Sequence, residues 1–594
     1  MKPTNVSDAE YYHKVVDCQY ACPAHTPVPE YIRLIAAGKY TEAYMVNWES
    51  NVFPGILGRT CDRPCEPACR RGRVEEEPVA ICRLKRVAAD NKGSIAHLMP
   101  DIPTQKNGKK IALIGGGPSS LTVARDLAPL GYDIHLYDDH KKGGGMMVSQ
   151  IPSFRLPVEV LDSEVNQILD LGIVTHFNTK VQSLKNVLDM GYHAIFVGTG
   201  APKGRNLDVP GRTEAESNIH IGIEWLASVA FEHTQKIGKK VIVLGGGNTA
   251  MDCCRTARRL GGEEVKVVVR SPFAEMKASP WEKEDAMHED IPIIDNHVPK
   301  SFVIEGKQLK GMMFEKVAPV MEDGKRKLKP TGEPEVFIEA DDVLIAIGQE
   351  NTFPWIERDL GLQFDEWGMP IINPRTFTST LKGVFFGGDA ALGPKNIITA
   401  VAQGHEAAMS IDLYCNGTDV NDRPPPQTKL FSTKMGIHEW SFDNDIAPDQ
   451  RYIVPQAAKS LTLVDRKKEV ELGFDKNIGF KEAQRCLNCD VQTVFSDSKC
   501  IECDACMDIC PTSCITFTEN EENEADLRKN LLVPATNLEQ DILVSGILKT
   551  GRIMVKDEDM CLHCGLCAER CPTAAWDMQK YLYNTAKAGQ QCCV

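Results

Sequence analysis

Twice in its last hundred residues the chain writes C-x2-C-x2-C-x3-C-P, and no other feature constrains its fold so tightly. The first copy is Cys500, Cys503, Cys506 and Cys510, followed by Pro511; the second is Cys561, Cys564, Cys567 and Cys571, followed by Pro572. A cubane [4Fe–4S] cluster needs four thiolates. Three close cysteines hold three irons, and the fourth ligand comes from the opposite half. The pattern predicts one set of Cys500, Cys503, Cys506 and Cys571 and another of Cys561, Cys564, Cys567 and Cys510. Structural zinc usually shows paired CxxC or Cys/His spacing rather than this run.

This segment resembles a bacterial-type two-cluster ferredoxin, which implies an α+β domain that carries electrons. It departs from the short form, because 50 residues separate Cys510 from Cys561. The acidic TENEENEADLR (518–528) reads as a solvated loop within that insertion. The 22 cysteines cluster at metal-ligand spacings in a long chain, which favours metal binding in a reducing cytosol over a disulfide scaffold. The opening MKPTNVSDAEYYHK has no apolar signal core, and no stretch approaches 18 uninterrupted apolar residues. A cytoplasmic protein without membrane contact is expected. The net charge of −15 argues against nucleic acid as a partner, since that calls for a basic face.

From Lys109 the chain reads KKIALIGGGPSSLTVARDL and then GYDIHLYDD: strand, Gly-rich turn, helix, second strand ending in an acid. That is the order of a Rossmann unit. Gly115 permits the tight turn, Gly117 lets backbone approach a pyrophosphate, and Pro118, Ser119 and Ser120 open the helix. Asp138 stands where a ribose hydroxyl is bound. The signal repeats at 239–270, with Gly245, Gly247, Asn248 and Thr249 at the turn and Ala250 in the third glycine position. A strand at 341–349, ending in Gly348, should close that second domain. At 383–408 a strand ends in Gly388-Asp389 and a helix follows from about Ile397, with Thr399 in its first turn. Two dinucleotide signals suggest one site for flavin and one for nicotinamide.

From about Cys18 to Leu413 the chain resembles the small subunit of bacterial glutamate synthase and the N-terminal half of dihydropyrimidine dehydrogenase. GGGPSS, the run at 143–165, FVGTGA (196–201, with Gly200), LGGGNTAMDC (244–253), AIGQ and GGDA carry the resemblance. It implies FAD, with Gly144, Gly145, Met146 and Arg155 beside it, in a domain interrupted by the nicotinamide domain. It implies hydride exchange between nicotinamide and flavin, in which the protein supplies geometry and electrostatics. No catalytic side chain is assigned. A 2'-phosphate calls for arginines at the end of the second strand. Here Arg270 is followed by Ser271, with Arg258 and Arg259 nearby in sequence, so NAD(H) is expected over NADP(H).

In the same family a helical N-terminal domain holds two clusters, and its opening motif reads roughly RCLxC, four residues, then C-x3-C-P. This chain starts at the second half, Cys18-x3-Cys22-Pro23, while the first half stands at 482–490 as EAQRCLNCD. The motif looks permuted. The resemblance groups Cys22 with Cys61, Cys65 and Cys69, and Cys18 with Cys486 and Cys489. Relatives use a Gln or Glu near the last ligand position; Lys85 aligns there and cannot ligate. Cys82, one helical turn earlier, is then the candidate fourth ligand of the Cys18 set. Cys253, Cys254 and Cys415 read as core, Cys514 as a residue just past a motif, and Cys592 and Cys593 as a tail.

The expected fold is multidomain α/β. A helical iron–sulfur domain covers 1–107, an FAD domain 108–206 and 351–420, and an NAD(P) domain 207–350. A linker and wrapping segment covers 421–484, with the stiff NDRPPPQT at its start, and a dicluster ferredoxin domain covers 485–594. The expected protein is an FAD-dependent NAD(P)H oxidoreductase subunit with about four clusters, which exchanges single electrons with a partner redox enzyme in a hetero-oligomer. A 2-oxoacid oxidoreductase is the preferred partner. The alternatives are a glutamate synthase small subunit, a free-standing NAD(P)H:ferredoxin oxidoreductase, and a cluster-bearing scaffold without activity.

Overall fold

The computed structural model describes residues 1–322, 324–433 and 446–590. The chain divides into two compact units: residues 1–99, 422–454 and 473–594, and residues 100–421 with 455–472. Cys592 and Cys593 lie outside the described residues.

The second unit holds two parallel sheets. The first runs in the order Val384–Phe386, Ala194–Val197, Lys110–Ile114, Asp133–Tyr137, Val174–His176. Its central strands, IALI and AIFV, are buried along their whole apolar length, as strands covered on both faces must be. The strand Val384–Phe386 reaches this sheet only after the chain has built a second one. That sheet runs Ile219–Ile221, Asp342–Ile345, Lys240–Leu244, Glu264–Val268, Ile293–Ile294, again all parallel. The chain leaves the first sheet at Lys203–Gly204 and returns at Gln349–Glu350, and these two crossings pair antiparallel. One face of the second sheet packs Ile242, Val268 and Val343 against Phe302, Met312 and Phe314 of antiparallel strands.

The first unit joins N-terminal helices to the ferredoxin segment in one core. Tyr12, Tyr31 and Ile32 share it with Val491, Met554, Trp576 and Met578. Helices Val28–Ala36, Tyr40–Asn51 and Ile81–Asn91 supply the helical part. The ferredoxin part has two three-stranded antiparallel sheets, Gln427–Ser432 with Trp576–Asn584 and Val491–Phe495, and Ile515–Thr518 with Ile553–Asp557 and Ile542–Val544. The segment after the proline-rich linker therefore contributes an edge strand rather than only wrapping. The acidic 518–528 stretch also differs from a solvated loop. It forms a short helix, Glu524–Leu527, because Leu527 is fully buried with Ile542, Val544 and Ile553. Among the described residues, no helix is long and apolar enough to cross a membrane.

Candidate functional site

The first Gly-rich turn is shaped by close backbone approach. Gly115 has φ +92°, and a Cβ there would stand 2.6 Å from the Gly198 carbonyl oxygen. Gly117 caps helix Pro118–Leu127, whose proline occupies the first turn where no partner for its nitrogen is needed. Asp138 is buried and accepts hydrogen bonds from Gly116 N (2.6 Å) and His140 N (2.8 Å). The Gly144–Met146 loop closes on the same turn. Gly144 N donates to Gly116 O at 2.8 Å, and a Cβ on Gly145 would meet Gly117 Cα at 2.8 Å.

The third strand of this cradle ends at Gly388, with φ +62° and Ser119 Oγ 2.8 Å from where its Cβ would be. Asp389 follows; burial pushes its carboxyl up, opposed by a hydrogen bond from Lys395 N. Asn396 caps the long helix Ile397–Cys415 by accepting from Thr399 N at 3.0 Å. Asn351 donates to the carbonyls of Asp389 (2.5 Å) and Gly200 (3.4 Å), which fixes both turns together. Thr199 Oγ1 is buried among these glycines with no partner. Open backbone turns, a buried acid and an orphaned hydroxyl suit a dinucleotide such as FAD, which brings its own phosphate and ribose hydrogen-bond groups.

The second turn repeats the geometry. Gly245 has φ +138°, and a Cβ there would lie 2.1 Å from the Ala346 carbonyl oxygen. Gly247 caps helix Asn248–Arg259 and has nothing within 4 Å of its Cβ position, so that side is open. Asn248 Oδ1 accepts from Ser279 N at 2.8 Å, and Ala278 N donates to Gly246 O at 2.8 Å. Thr249 follows on the half-buried first turn; the closing strand ends at Ile345 rather than at Gly348, which stands at φ +121° beside Arg205, just before the crossing Gln349–Glu350. Arg258 and Arg259 are occupied elsewhere. Arg258 donates to the carbonyls of Gly262 and Glu263, and Arg259 is buried against Glu289. Arg270 and Lys277 are exposed and make no ion pair among the described residues, while Ser271 is half-buried.

Arg155, expected beside the flavin, gives its guanidinium to the second dinucleotide fold. Nη1 donates to both Asp252 oxygens at 2.6 and 2.8 Å, and Nη2 donates to Glu282. Phe154 is buried under Arg255 and Arg259, whose guanidinium carbons lie 5.1 and 3.9 Å from its ring centre.

The cysteines gather around cavities. Cys500, Cys503, Cys506 and Cys571 line one with Trp576, and Cys510, Cys561, Cys564 and Cys567 line another with Lys556. A third cavity is lined by Cys18, Cys69, Cys486 and Cys489, with Asp17, Arg70 and Arg71. The two halves of the permuted motif thus meet within one chain. Arg33 holds them together through two hydrogen bonds to buried Asp490, at 2.7 and 2.6 Å.

One grouping is corrected. Cys69 joins the Cys18 set, and Cys82 instead approaches Cys61: its thiol donates to the Leu57 carbonyl oxygen at 3.2 Å, and Cys61 N donates to the same oxygen. The turns after Cys61, with Arg63 at φ +56° and hydrogen bonds from Glu66 N to Arg63 O and Cys69 N to Glu66 O, send the third cysteine the other way.

Among the described residues no three cysteine sulfurs lie within 4.8 Å of one another. A single zinc, with Zn–S bonds of about 2.3 Å, would draw its sulfurs closer than that. Cavities lined by four cysteines each suit a cluster, whose irons and sulfides fill the centre and whose chemistry is one-electron transfer.

Cys514, read in the sequence as a residue just past a motif, packs on a ligand candidate. Its buried sulfur lies 3.4 Å from Cys510 Sγ, and its thiol hydrogen bond is the main reason the Cys510 thiol falls to about 5. The signal was present: Cys514 N donates to Cys510 Sγ just as Ala575 N donates to Cys571 Sγ, so a cysteine replaces the alanine of the other half.

Fold and sites together define a two-dinucleotide flavin oxidoreductase that carries iron–sulfur modules. Residues 109–404 match the pyridine nucleotide-disulphide oxidoreductase family, 11–96 the dihydropyrimidine dehydrogenase domain II 4Fe-4S cluster family, and 499–575 the 4Fe-4S dicluster domain. The chain is 33% identical to the NADP(+)-dependent formate dehydrogenase subunit beta of Moorella thermoacetica, over 80% of this chain and 70% of that one. It is 30% identical to the NADPH-Fe(3+) oxidoreductase subunit beta of Geobacter sulfurreducens, over 82% and 77%. The glutamate synthase [NADPH] small chain of Azospirillum brasilense is also 30% identical, over 67% and 86%. The chain belongs to this family of pyridine nucleotide oxidoreductases and is an FAD-dependent NAD(P)H oxidoreductase with [4Fe–4S] clusters that transfers electrons.

Proposed function

We propose that this chain is the nicotinamide-linked electron-transfer subunit of a larger redox complex. The observation that carries the reading is the combination of two open dinucleotide turns with three separate cysteine-lined cavities in one chain. FAD held at the first turn would supply the conversion between a two-electron hydride and single electrons. Gly115, Gly117, Pro118, Ser119, Ser120, Asp138, Gly144, Gly145, Met146, Gly200, Gly388, Asp389 and Thr399 would hold it. Gly245, Gly247, Asn248, Thr249 and Gly348 would place the nicotinamide nucleotide.

The partner we put first is a 2-oxoacid oxidoreductase, whose chemistry delivers electrons to clusters and needs a separate route to nicotinamide. The relatives above are named as subunits beta of formate dehydrogenase and of an Fe(3+) oxidoreductase and as a glutamate synthase small chain, so a fixed partner is common to this layout. Native mass measurement of protein taken from its source tests this. A chain isolated alone, and active toward a free ferredoxin without any partner, would favour the free-standing reading.

The absence of a second arginine beside Arg270 argues for NAD(H). The exposed, unpaired Arg270 and Lys277 argue the other way, since Lys277 lies on the segment that returns over the Gly245–Gly247 turn. Two of the relatives are named for NADPH and one for NADP(+). NADP(H) is the better supported nucleotide. Arg270→Ala should then lower kcat/KM for NADPH about tenfold, roughly 1.4 kcal/mol, while leaving NADH little changed. Equal losses with both nucleotides would reject Arg270 as a phosphate contact.

A further inference from the structure

The least explained charge in the first unit is Lys85. It is 5% exposed on helix Ile81–Asn91 and makes no ion pair with a carboxylate among the described residues. Four cysteine sulfurs, Cys61, Cys82, Cys22 and Cys65, act on its charge against the cost of burial, and two of them are tied by geometry, since Cys61 N donates to the Leu57 carbonyl oxygen that also accepts the Cys82 thiol. A buried ammonium without a counter-charge is strongly disfavoured, so this position points to negative charge among those four sulfurs.

Two further observations narrow the donor set. Cys82 stands one turn before Lys85 on the same helix face, and its sulfur is held 3.2 Å from the Leu57 carbonyl oxygen, at the end of the helix that delivers Cys61. Glu66, a nearby carboxylate, is the competing oxygen donor. Both its oxygens are engaged, one by Cys82 N at 3.1 Å and the other by Arg451 at 2.7 Å. Of the other cysteine sets, the Cys18 and Cys561 sets also have a buried cation, Arg70 and Lys556 respectively.

We propose that Cys82 is the fourth thiolate of a [4Fe–4S] site with Cys22, Cys61 and Cys65, and that Lys85 is a positioning residue whose charge offsets the extra thiolate. This assignment rests on the cluster-bearing reading above. It puts sulfur where a Gln or Glu ligand would leave the site one or no negative charge lighter, and it gives Lys85 a partner. The predicted consequence is a site whose potential depends on residue 85.

The test uses full-length protein reconstituted anaerobically, with iron per flavin and EPR-monitored redox titration as readouts. Wild type should hold about sixteen irons per FAD, four for each of four sets. Cys82→Ala should lose about a quarter of them or show a three-iron EPR signal. Cys22→Ala/Cys82→Ala should lose no more than either single variant, whereas Cys82→Ala/Cys486→Ala should lose about half. Lys85→Met should keep its iron and lower the potential of one cluster, with Lys85→Arg restoring it. Full iron in Cys82→Ala, additive loss with Cys22→Ala, or an unmoved potential in Lys85→Met would each overturn the proposal. Wild type with only about eight irons would instead reject the cluster reading on which it rests.

Discussion

Replacing Arg155 with methionine should destabilise the second unit and should do so more at alkaline than at acid pH. The arginine is 13% exposed and bonds to carboxylates that are 8% and 5% exposed. Around it stand Asp252, Glu282, Asp285 and Glu289, opposed by Arg155, Arg255 and Arg259. Methionine keeps most of the stem volume but leaves these carboxylates short of one cation. Breaking a buried pair from one side typically costs about 3–5 kcal/mol.

The pH dependence follows from Asp252, which burial pushes up from 3.8 to about 6 although Arg155 pulls it down. A raised carboxyl pKa means the folded state holds the proton longer than the unfolded chain. The stability Asp252 contributes therefore falls as pH rises from 3.8 to about 6. Without Arg155 that window extends upward, so the penalty of Arg155→Met keeps growing toward neutral pH. The assay is urea-induced flavin release at pH 5 and pH 8, with Arg155→Met, Asp252→Asn and the double variant. The double variant should recover part of the loss, because it removes one stranded charge. A penalty below about 1 kcal/mol at pH 8, or one larger at pH 5, would refute the buried-network argument.

Two other outcomes are expected. Gly404→Ala should cost about 1–3 kcal/mol and lower the flavin content, read from the absorbance ratio, because its Cβ would sit 2.7 Å from both Ser119 O and Thr122 Cβ. Asp126 is buried, which raises its carboxyl, but His405 and Arg125 more than reverse this and hold it well below the usual 3.8. Its contribution to stability is complete above that value and is lost as pH falls further, so Asp126→Asn should flatten the acid limb of flavin release below about pH 4.

The features legible in the sequence are those in which a short segment fixes its own geometry. A glycine turn between a strand and a helix can be read because Gly115 and Gly245 each occupy a backbone position where a Cβ would strike a carbonyl oxygen, at 2.6 and 2.1 Å. The nesting of one sheet inside the other follows from the spacing of those turns, and the paired crossings Lys203–Gly204 and Gln349–Glu350 are its physical form. The juxtaposition of Cys571 with Cys500 and of Cys510 with Cys561 is long-range, yet legible, because each run can enclose only three irons and must borrow its fourth ligand from the other.

What escaped the sequence depends on direction rather than spacing. Cys61, Cys65 and Cys69 are evenly spaced, so nothing in the string says that the last turns toward Cys18 while the first approaches Cys82. That is decided by Arg63 in the left-handed region and by the backbone bonds that follow it. The exchange of Cys69 and Cys82 between sets is the result. Long-range charge is equally silent. Arg33 and Asp490 are 457 residues apart in sequence, yet their buried pair helps bring Cys486 and Cys489 to Cys18. Removing it should therefore separate a motif whose two halves no covalent neighbour holds together. Arg33→Met should lower the iron content by about one cluster of the four, with the Cys18 set lost, although it changes no cysteine. Full iron in that variant would mean that the Glu482–Ala80 and Arg71–Arg485 contacts, at 2.7 and 3.0 Å, suffice to close the permuted motif.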